Sequence, residues 1–364
     1  GDTADEFDGR WACGATSAVM ITAYYNRLPL HPITCTFCPP SHTSNYGWYV
    51  GPYNNGEPAK NYSIYGYTFN NYYEATPTGD LVYGAYGYIH EYGGYAQEKF
   101  TKGYFRIHGL FSDVIYYPTA EDVKGEINKG HPVWASTNLW SSGHIVVIKG
   151  YTDDGYYIVN DPWPYDYDWC YMGSDMRYTW NKMETGSKWI VITDPIRPGD
   201  KVKALYDDIH VREEPSLSAV DKGYVGDTGT IVYDSTYGSC FYNSDGYTWW
   251  KIQWDNGLVG WSACGDNGDR NGGDNWIEKV TTTETLSVSL TADHSSGKAP
   301  LDVQLTADVS GTATGTINYT FWWNCNDPGT SVGDVMNVCG YIPTPSPGSC
   351  ASNENGIKCD GVTN

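Results

Sequence analysis

The residue of this sequence best suited to nucleophilic chemistry is Cys13, in the stretch WACGATSAVM. From Cys13 to Asn26 the chain has no proline and no glycine other than Gly14, and its side chains leave almost no polar face. Such a segment predicts a helix that is apolar all round and buried at the centre of a domain. At the head of that helix, free backbone N–H groups and the helix dipole would stabilise a thiolate, the reactive form of the side chain.

A thiolate nucleophile needs a base, and the base needs a group that orients it. Both residue types occur in SGHIVVIKGYTDDGYYIVNDP, residues 142–162, where His144 opens one apolar run and Asp161 closes another. The turn signal Thr-Asp-Asp-Gly at 152–155, between these β-branched runs, predicts a β-hairpin. Taken alone, His144 would be a hydrogen-bonded structural histidine at a strand start. Together the residues predict a catalytic triad of Cys13, His144 and Asp161.

The expected register of this hairpin brings the histidine and the aspartate together. If Tyr151 pairs with Tyr156, His144 stands opposite Trp163, and Asp161 lies diagonally beside His144. Residues 161 and 163 share a face, so the imidazole and the carboxylate would project to the same side of the sheet. A carboxylate in that position fixes the tautomer of the ring and holds the ring toward the thiol.

These motifs resemble the papain-like cysteine peptidases of the bacteriocin-processing (C39-like) type. WACGATSAVM is similar to the nucleophile motif of that family, and GHIVVIKGYTDDGYYIVNDP is similar to its histidine strand and Asn-Asp-Pro segment. The stretch TAEDVKGEINKGHPVWAS, from Thr119, fits a capped helix, a glycine turn and a strand that leads toward the histidine. The resemblance covers residues 1 to about 195. It implies that Cys13 is the nucleophile, His144 the general base and acid, and Asp161 the orienting group.

One feature of the papain-like family has no counterpart in this sequence. Papain-like sites also use a side-chain amide, usually a glutamine upstream of the cysteine, to stabilise the oxyanion. The residues before Cys13 include neither Gln nor Asn, and the only glutamines are Gln97, Gln253 and Gln304. Loss of one such donor costs about a hundred- to a thousandfold in rate. Either the amide lies before Gly1 or the enzyme is impaired, with the backbone N–H of Cys13 as a remaining donor.

A second group of ligand-type residues, His31, Cys35, Cys38 and His42, has a spacing that could bind zinc. The alternative is a disulfide in a proline-rich surface loop that uses Cys35, Cys38 or the distant Cys170. The sequence favours the disulfide, so no metal and no other cofactor is predicted.

The cysteines of the remaining chain also predict disulfides. Cys240 and Cys264 are the only cysteines between residues 200 and 280 and are expected to pair. The four cysteines after residue 320 allow three connectivities, which the sequence does not separate. From Cys325 to the end, Gly, Pro, Asn, Ser and Cys dominate, so a loop held by disulfides is expected there.

The region after Pro195 is expected to form a small β domain. Short alternating strands are separated by Gly, Asp and Asn turns, and HVREEPS, GDTGTIV and GYTWWKIQWDNGLVGW resemble a bacterial SH3-like domain. Such modules often hold secreted hydrolases on cell-wall peptides or glycans. In alternating strands some tryptophans must be core, and an exposed one would be a stacking platform. The residues concerned are Trp249, Trp250, Trp254 and Trp261.

The last region resembles the first part of an Ig-like domain of the polycystic-kidney-disease (PKD) type. The segments that carry this resemblance are APL and LTADVSG near residue 300 and YTFWW from Tyr319. The further strands of that family are missing, and an unfinished sandwich has an open edge that can accept a strand. We expect the strand to come from a continuation or from a neighbouring subunit, and in the second case self-assembly would build a filament.

The composition limits the partners and the compartment. The chain has 22 basic and 43 acidic residues and a net charge of −21, which repels phosphate backbones, so no nucleic acid is expected as a partner. No stretch reaches eighteen apolar residues, so no membrane span is expected. Ten cysteines spread along the chain, with sequons at Asn61 and Asn318, favour a glycoprotein that is extracellular or on the cell surface.

The predicted fold is an α+β papain-like domain over residues 1–196, a small SH3-like β-barrel over 197–280, and an incomplete Ig-like β-sandwich over 281–364. The predicted function is a secreted or cell-surface cysteine peptidase that cleaves peptides or peptide cross-links, including those of cell walls, through a thioester acyl-enzyme. The alternative is an extracellular adhesin or filament subunit whose peptidase-like domain is a non-catalytic scaffold. The Tyr, Trp and Gly content, the missing amide and the unfinished β domain favour this alternative.

Overall fold

A computed structural model of the chain describes residues 12–35, 42–50, 62–69, 84–89, 98–139, 143–163, 173–267, 274–280, 286–293, 305–311, 319–322, 349–353 and 356–360. The chain divides into two compact units, Gly1–Val280 (unit 1) and Thr281–Asn364 (unit 2). The fold is mixed α/β, with few helices and many strands. No helix in these ranges has the length and apolar character needed to cross a membrane.

The helices described in unit 1 are α1 (Cys13–Tyr24), α2 (Gly84–Ile89), α3 (Glu98–Ile107), α4 (Ala120–Asn128) and α5 (Trp180–Met183). The described strands of unit 1 are β1 (Ile33–Cys35), β2 (His42–Ser44), β3 (Tyr62–Ile64), β4 (Tyr67–Phe69), β5 (Leu110–Tyr116), β6 (Val133–Thr137), β7 (His144–Tyr151), β8 (Tyr156–Asp161), β9 (Gly173–Thr179), β10 (Trp189–Pro195), β11 (Lys201–Ala204), β12 (His210–Arg212), β13 (Asp221–Tyr224), β14 (Thr228–Ile231), β15 (Phe241–Ser244), β16 (Tyr247–Trp254), β17 (Val259–Asp266) and β18 (Ile277–Lys279).

A six-stranded antiparallel sheet, in the order β5-β10-β6-β7-β8-β9, organises the first part of unit 1. Successive residues of its strands contribute to two separate apolar cores. On β7, Ile145 and Val147 pack in the core that contains α1, whereas Val146 and Ile148 pack in the other core. Because both faces of this strand are covered, its sequence is a continuous apolar run and does not alternate with polar residues.

Helix α1 begins at Cys13, as predicted, and ends at Tyr24, slightly earlier than the predicted end. Its buried residues cover little more than half of the helix surface, and the other side, which carries Cys13, Thr16 and Met20, is partly exposed. The prediction of a helix buried all round is therefore wrong on that side. The buried residues are Gly14, Ala15, Ser17, Ala18, Val19, Ile21 and Thr22. Asn26 has a φ of 56°, a left-handed conformation that asparagine tolerates and that commonly terminates helices.

Helix α4 has the cap that the sequence predicts. The Thr119 hydroxyl accepts from the Asp122 backbone N–H at 3.2 Å, and the Asp122 carboxylate accepts from the Thr119 N–H at 2.7 Å. This capping box satisfies two backbone donors that the helix leaves unpaired. The chain then turns at Gly130 (φ 79°) and enters β6, which pairs with β7. The capped helix thus leads into the strand beside His144.

The β7–β8 hairpin departs from its predicted register near the turn. Tyr151 pairs with Tyr157 and not with Tyr156, so the predicted pairing is wrong at that point. The reason is the loop, in which the Thr152 N–H donates to the Tyr156 carbonyl at 2.8 Å and Gly155 has a φ of 86°. Three residues therefore span this turn, with the glycine in the left-handed conformation that such a loop needs.

A β-bulge restores the predicted register toward the open end of the hairpin. Between Ile148 and Gly150 the strand β7 absorbs one extra residue, after which Val147 pairs with Asn160. This pairing agrees with the predicted register. The strand end that carries His144 consequently meets the strand end that carries Asp161.

The second sheet of unit 1 runs β13-β12-β17-β16-β14-β11-β18, with β15 also paired to β16. All four tryptophans considered as a stacking platform are at most 2% exposed, so none of them is an exposed platform; they are Trp249, Trp250, Trp254 and Trp261. They fill apolar cores. The closed SH3-like barrel stays a prediction.

The predicted disulfide between Cys240 and Cys264 is wrong, because both thiols are free and buried. The Cys240 carbonyl accepts a hydrogen bond from the backbone N–H of Lys251 on β16. Cys264 lies on β17, which pairs with the other edge of β16. Two strand spacings are about 9–10 Å, beyond the roughly 7 Å that a disulfide allows between Cα atoms. Burial raises the pKa of the thiols to about 11 for Cys240 and about 12 for Cys264, so neither is reactive at neutral pH.

Helix α3 is joined to the second sheet of unit 1 and its neighbouring residues by buried polar contacts. The Arg106 guanidinium, 2% exposed, donates to the Asp266 carbonyl at 2.9 Å and to the Asn275 side chain at 3.1 Å. From the other side, the Asn243 amide donates to the Ile107 carbonyl at 2.9 Å. The boundary predicted near residue 196 lies inside unit 1, beside these contacts, and stays a prediction.

Unit 2 forms two antiparallel sheets in its described residues. One pairs β19 (Leu286–Ala292) with β20 (Leu305–Gly311), and the other has the order β21 (Tyr319–Trp322), β23 (Gly356–Asp360), β22 (Ser349–Asn353). The predicted Cys-rich loop is therefore wrong at its end, where β22 and β23 form a hairpin. The sandwich and its completion by another chain stay predictions.

Candidate active site

Cys13 is the first residue of α1, and its thiol is free and partly exposed. The preceding residue, Ala12, has no side chain that could cap the helix. The first backbone N–H groups of α1 are therefore not used by a side-chain cap, and the positive end of the helix dipole faces the sulfur.

Two buried hydrogen bonds hold α1 against the sheet that carries the histidine. Trp134, a fully buried residue of β6, donates its indole N–H to the Gly14 carbonyl at 2.9 Å. Ser17 donates its hydroxyl to the Ile145 carbonyl at 3.4 Å. Gly14 directly follows Cys13 in the chain, and Ser17 lies about one helical turn after Cys13. Ile145 directly follows His144. They fix the distance between the thiol and the strand that bears the imidazole.

His144 lies between the thiol and the carboxylate. Its ring is 3% exposed, and its Nε2 lies 2.6 Å from Oδ1 of Asp161. Nδ1 is the ring nitrogen that Asp161 leaves available, and Cys13 is close enough to His144 for its side chain to raise the pKa of the ring. Burial lowers the pKa of His144, but the hydrogen bonds to Asp161 and Cys13 and the charges of these groups outweigh it and raise the pKa to about 9.

Asp161 is fully buried, and its carboxylate accepts three hydrogen bonds. Oδ1 accepts from His144 and, at 2.8 Å, from the backbone N–H of Trp163. Oδ2 accepts from the Tyr178 hydroxyl at 2.9 Å. A buried carboxylate with three donors is held in one orientation. It can therefore balance the positive charge of a protonated His144.

The arrangement has the geometry of nucleophilic acyl transfer. A thiol at a helix head lies near an imidazole, and a buried carboxylate orients that imidazole. The Trp163 ring, 64% exposed, stands edge-on to the His144 ring at a centroid distance of 6.5 Å. A substrate carbonyl that approaches the sulfur would also meet the free N–H groups of the first turn of α1.

The structure brings together the three residues that the sequence predicts for this site, and it adds others that the sequence did not indicate. Tyr178, Trp134 and the backbone N–H of Trp163 all position triad members. The Trp163 N–H binds the carboxylate two residues back in a local turn. Tyr178 and Trp134 have no spacing signal, because their contacts depend on strand order and on packing. That order, β6-β7-β8-β9, was the missing information.

The side-chain amide of papain-like sites is not found among the described residues near Cys13. Gln253 lies on β16 in the second sheet, where it pairs with Thr230. Gln97, Gln304 and the residues before Ala12 lie outside the described residues. Backbone N–H groups at the head of α1 are the donors that the structure offers.

The second group of predicted ligand-type residues is only partly described. The His31 ring stacks on Trp48 at a centroid distance of 4.3 Å. In the backbone, Cys35 of β1 pairs with His42 of β2. Cys38 and the side chains of Cys35 and His42 lie outside the described residues, as does Cys170. Within the part of the chain that is described, no three His, Cys, Asp or Glu side chains form a metal cluster.

A separate cavity of about 380 Å³ lies in the second sheet, away from the triad. Aromatic residues form much of its wall, including Tyr206, Tyr247, Trp249 and Trp276, and His210 and Arg212 add polar groups. No triad residue lines it. The chemistry of Cys13 is therefore inferred from side-chain geometry and not from the presence of a cavity.

One comparison with known proteins identifies the family of the chain. The model of the Peptidase_C39 like family matches residues 5–193, more than half of the chain. None of the curated proteins matches the chain. Among solved structures, the chain is similar to the crystal structure of Ly7917 with the hydrolyzing product of MDP, at 14% identity over 53% of this chain and 79% of that chain, with a TM-score of 0.18. At that TM-score the likeness supports no conclusion about fold or substrate.

Proposed function

Because the chain belongs to the Peptidase_C39 like family, we propose that it is a cysteine peptidase that hydrolyses peptide bonds through a thioester acyl-enzyme. The observation that carries the proposal is the position of His144, with one ring nitrogen 2.6 Å from Asp161 and the other available to Cys13. In this proposal Cys13 is the nucleophile, His144 the general base and acid, and Asp161 the orienting group.

In the first half-reaction, the Cys13 sulfur gives its proton to His144 and attacks the substrate carbonyl carbon. A C–S bond forms while the carbonyl π electrons move to oxygen, and N–H groups at the head of α1 donate to that oxyanion. The imidazolium then gives its proton to the leaving nitrogen as the C–N bond breaks. The amine departs, and a thioester remains on Cys13.

In the second half-reaction, the neutral imidazole of His144 takes a proton from water, and the resulting hydroxide attacks the thioester carbon. The tetrahedral intermediate collapses with cleavage of the C–S bond, so that Cys13 leaves as a thiolate paired with the imidazolium. The carboxylic acid product loses its proton to solvent. Asp161 holds the ring in place throughout, since Tyr178 and Trp163 already satisfy its other acceptor positions.

The substrates proposed are peptides or peptide cross-links, and the proposed location is extracellular or on the cell surface. The location rests on the composition, since the chain has ten cysteines and cysteine-rich proteins are common in oxidising compartments. Three of them, Cys13, Cys240 and Cys264, are free, so any disulfides involve the cysteines whose side chains lie outside the described residues. Binding of glycans and self-assembly through unit 2 are further proposals.

Incubation of the purified chain with a peptide library, with cleavage read by mass spectrometry, tests the proposal. Cleavage by the wild type should disappear in Cys13→Ala, because no other described thiol contacts the imidazole of His144. The control is Cys240→Ala, which removes a buried thiol away from the triad. Equal cleavage by the wild type and Cys13→Ala would reject a peptidase acting through Cys13, and a wild type with no activity on any peptide would favour the non-catalytic scaffold.

A further inference from the structure

Strand β9, at the edge of the first sheet, makes two contacts with the triad carboxylate. It follows β8 in the sheet, and its residue Gly173 pairs with Asp161. Further along the strand, Tyr178 reaches Asp161 with its hydroxyl at 2.9 Å. The strand thus touches both the backbone and the side chain of Asp161.

The hydroxyl of Tyr178 can act only as a donor to Asp161. The side chain is 4% exposed, and burial together with the neighbouring Asp161 charge raises its pKa. The phenol therefore stays protonated at every pH at which the enzyme would work. Because it occupies Oδ2, the carboxylate cannot rotate away from His144 without leaving a buried oxygen unpaired.

Gly173 brings β9 close to the backbone of Asp161. A Cβ atom at this position would collide with the Asp161 carbonyl oxygen and would lie 3.2 Å from the Asp161 Cβ. Any side chain here would push apart the two strands at the residue that carries the carboxylate. The absence of a side chain at position 173 and the hydroxyl at position 178 therefore serve the same residue.

We propose that β9 is a positioning element of the site, in which Tyr178 fixes the orientation of the Asp161 carboxylate and Gly173 lets the strand reach it. This inference rests on the proposed function for its effect on turnover. Neither residue touches the reacting atoms, so both act through Asp161 and His144. The two positions distinguish this role from simple packing, because each has a matched neighbour that packs without contacting Asp161.

For Tyr178 the matched neighbour is Tyr157, its pairing partner on β8. Tyr157 is 3% exposed and packs in the same core, but its hydroxyl donates to the Ala120 carbonyl at 3.4 Å. Tyr178→Phe should lower kcat by about ten- to a hundredfold with little change in KM, the expected loss for one hydrogen bond to a buried charge. Tyr157→Phe should leave kcat within about twofold of the wild type.

For Gly173 the matched neighbour is Gly150 of β7, where a new Cβ would meet Ile158 at an ordinary contact distance of 3.4 Å. Gly173→Ala should lower kcat in the same way as Tyr178→Phe, while Gly150→Ala should not. Melting temperatures of all four variants show whether a loss of kcat is merely a loss of folded protein. A fall of kcat in proteins that remain folded at the assay temperature supports positioning.

The rate of Cys13 alkylation by iodoacetamide gives a second readout that needs no substrate. Reactivity of the thiolate depends on an aligned His144, so Tyr178→Phe should slow labelling of Cys13 and Tyr157→Phe should not. Wild-type kcat and labelling rate in a folded Tyr178→Phe would overturn the inference. If no peptide is cleaved by the wild type, the proposed function fails, while the labelling rates still decide whether Tyr178 positions the site.

Discussion

Replacement of Asp161 by asparagine should change the protonation of His144. The carboxylate lies 2.6 Å from Nε2, and the two side chains are 0% and 3% exposed, so solvent cannot replace the lost charge. Burial by itself lowers the pKa of His144, and the contact with Asp161 is a major reason why that pKa is nonetheless raised to about 9. An asparagine of the same shape keeps the packing but removes the charge.

The size of the change follows from the strength of such a bond. A hydrogen bond to a charged group contributes roughly 1.5–3 kcal/mol, and 1.36 kcal/mol corresponds to a change of 1 in a pKa, so the pKa of His144 should fall by about 1 to 2. It would then lie near 7–8, compared with about 9 in the wild type. At pH 8 the protonated fraction of His144 would fall from about 90% to between about 10% and 50%.

A titration of ¹⁵N-labelled histidine by NMR measures this pKa directly, with the His144 signals assigned by their absence in His144→Gln. The control is Asp175→Asn, since Asp175 is 71% exposed and pairs with Lys149 at the surface, where its charge is screened. The control should leave the pKa of His144 unchanged. A value near 9 in a folded Asp161→Asn protein would refute the electrostatic role of the carboxylate.

Three further outcomes follow from the same structure. The folded state raises the pKa of His144 from 6.5 to about 9. The stability that this contributes is therefore fully present below pH 6.5 and is lost as pH rises through about 9. The melting temperature of the wild type should accordingly fall more steeply between pH 8 and 10 than that of Asp161→Asn. Cys240 and Cys264 should resist iodoacetamide in the native protein and should both react after urea unfolding without reductant, whereas a disulfide would keep both unlabelled. Arg106→Met should lower the free energy of unfolding by roughly 2–4 kcal/mol in urea titrations, because it removes buried hydrogen bonds to Asp266 and Asn275. The control is Arg197→Met, which replaces an exposed side chain and should change that free energy by less than about 0.5 kcal/mol.

The parts of the site that depend on local sequence were predictable. An apolar segment without proline after Cys13 predicts the central helix, and a turn signal between two β-branched runs predicts the hairpin that carries His144 and Asp161. Even the local error was small in its effect. The three-residue turn shifted the register by one residue at Tyr151, and a bulge cancelled the shift before the site.

The parts that depend on distant contacts were not predictable from the sequence. Tyr178 reaches Asp161 only because β9 lies next to β8, which no local pattern indicates. Cys240 and Cys264 seemed a pair by elimination, but β16 separates their strands. Arg106 is buried against the second sheet, which no sequence pattern indicated. In each case strand order or packing decided the outcome.

The rate of alkylation of Cys13 by iodoacetamide below pH 7 tests the central claim most directly, because it asks whether His144 makes this thiol a nucleophile. Peptide mass mapping follows Cys13 in the wild type, in His144→Gln and in a model peptide that contains WACGATSAVM. We expect wild-type Cys13 to react at least about tenfold faster than the peptide thiol, and His144→Gln to abolish most of this advantage. Equal rates for Cys13 in the wild type, in folded His144→Gln and in the peptide would contradict the activation of Cys13 by His144.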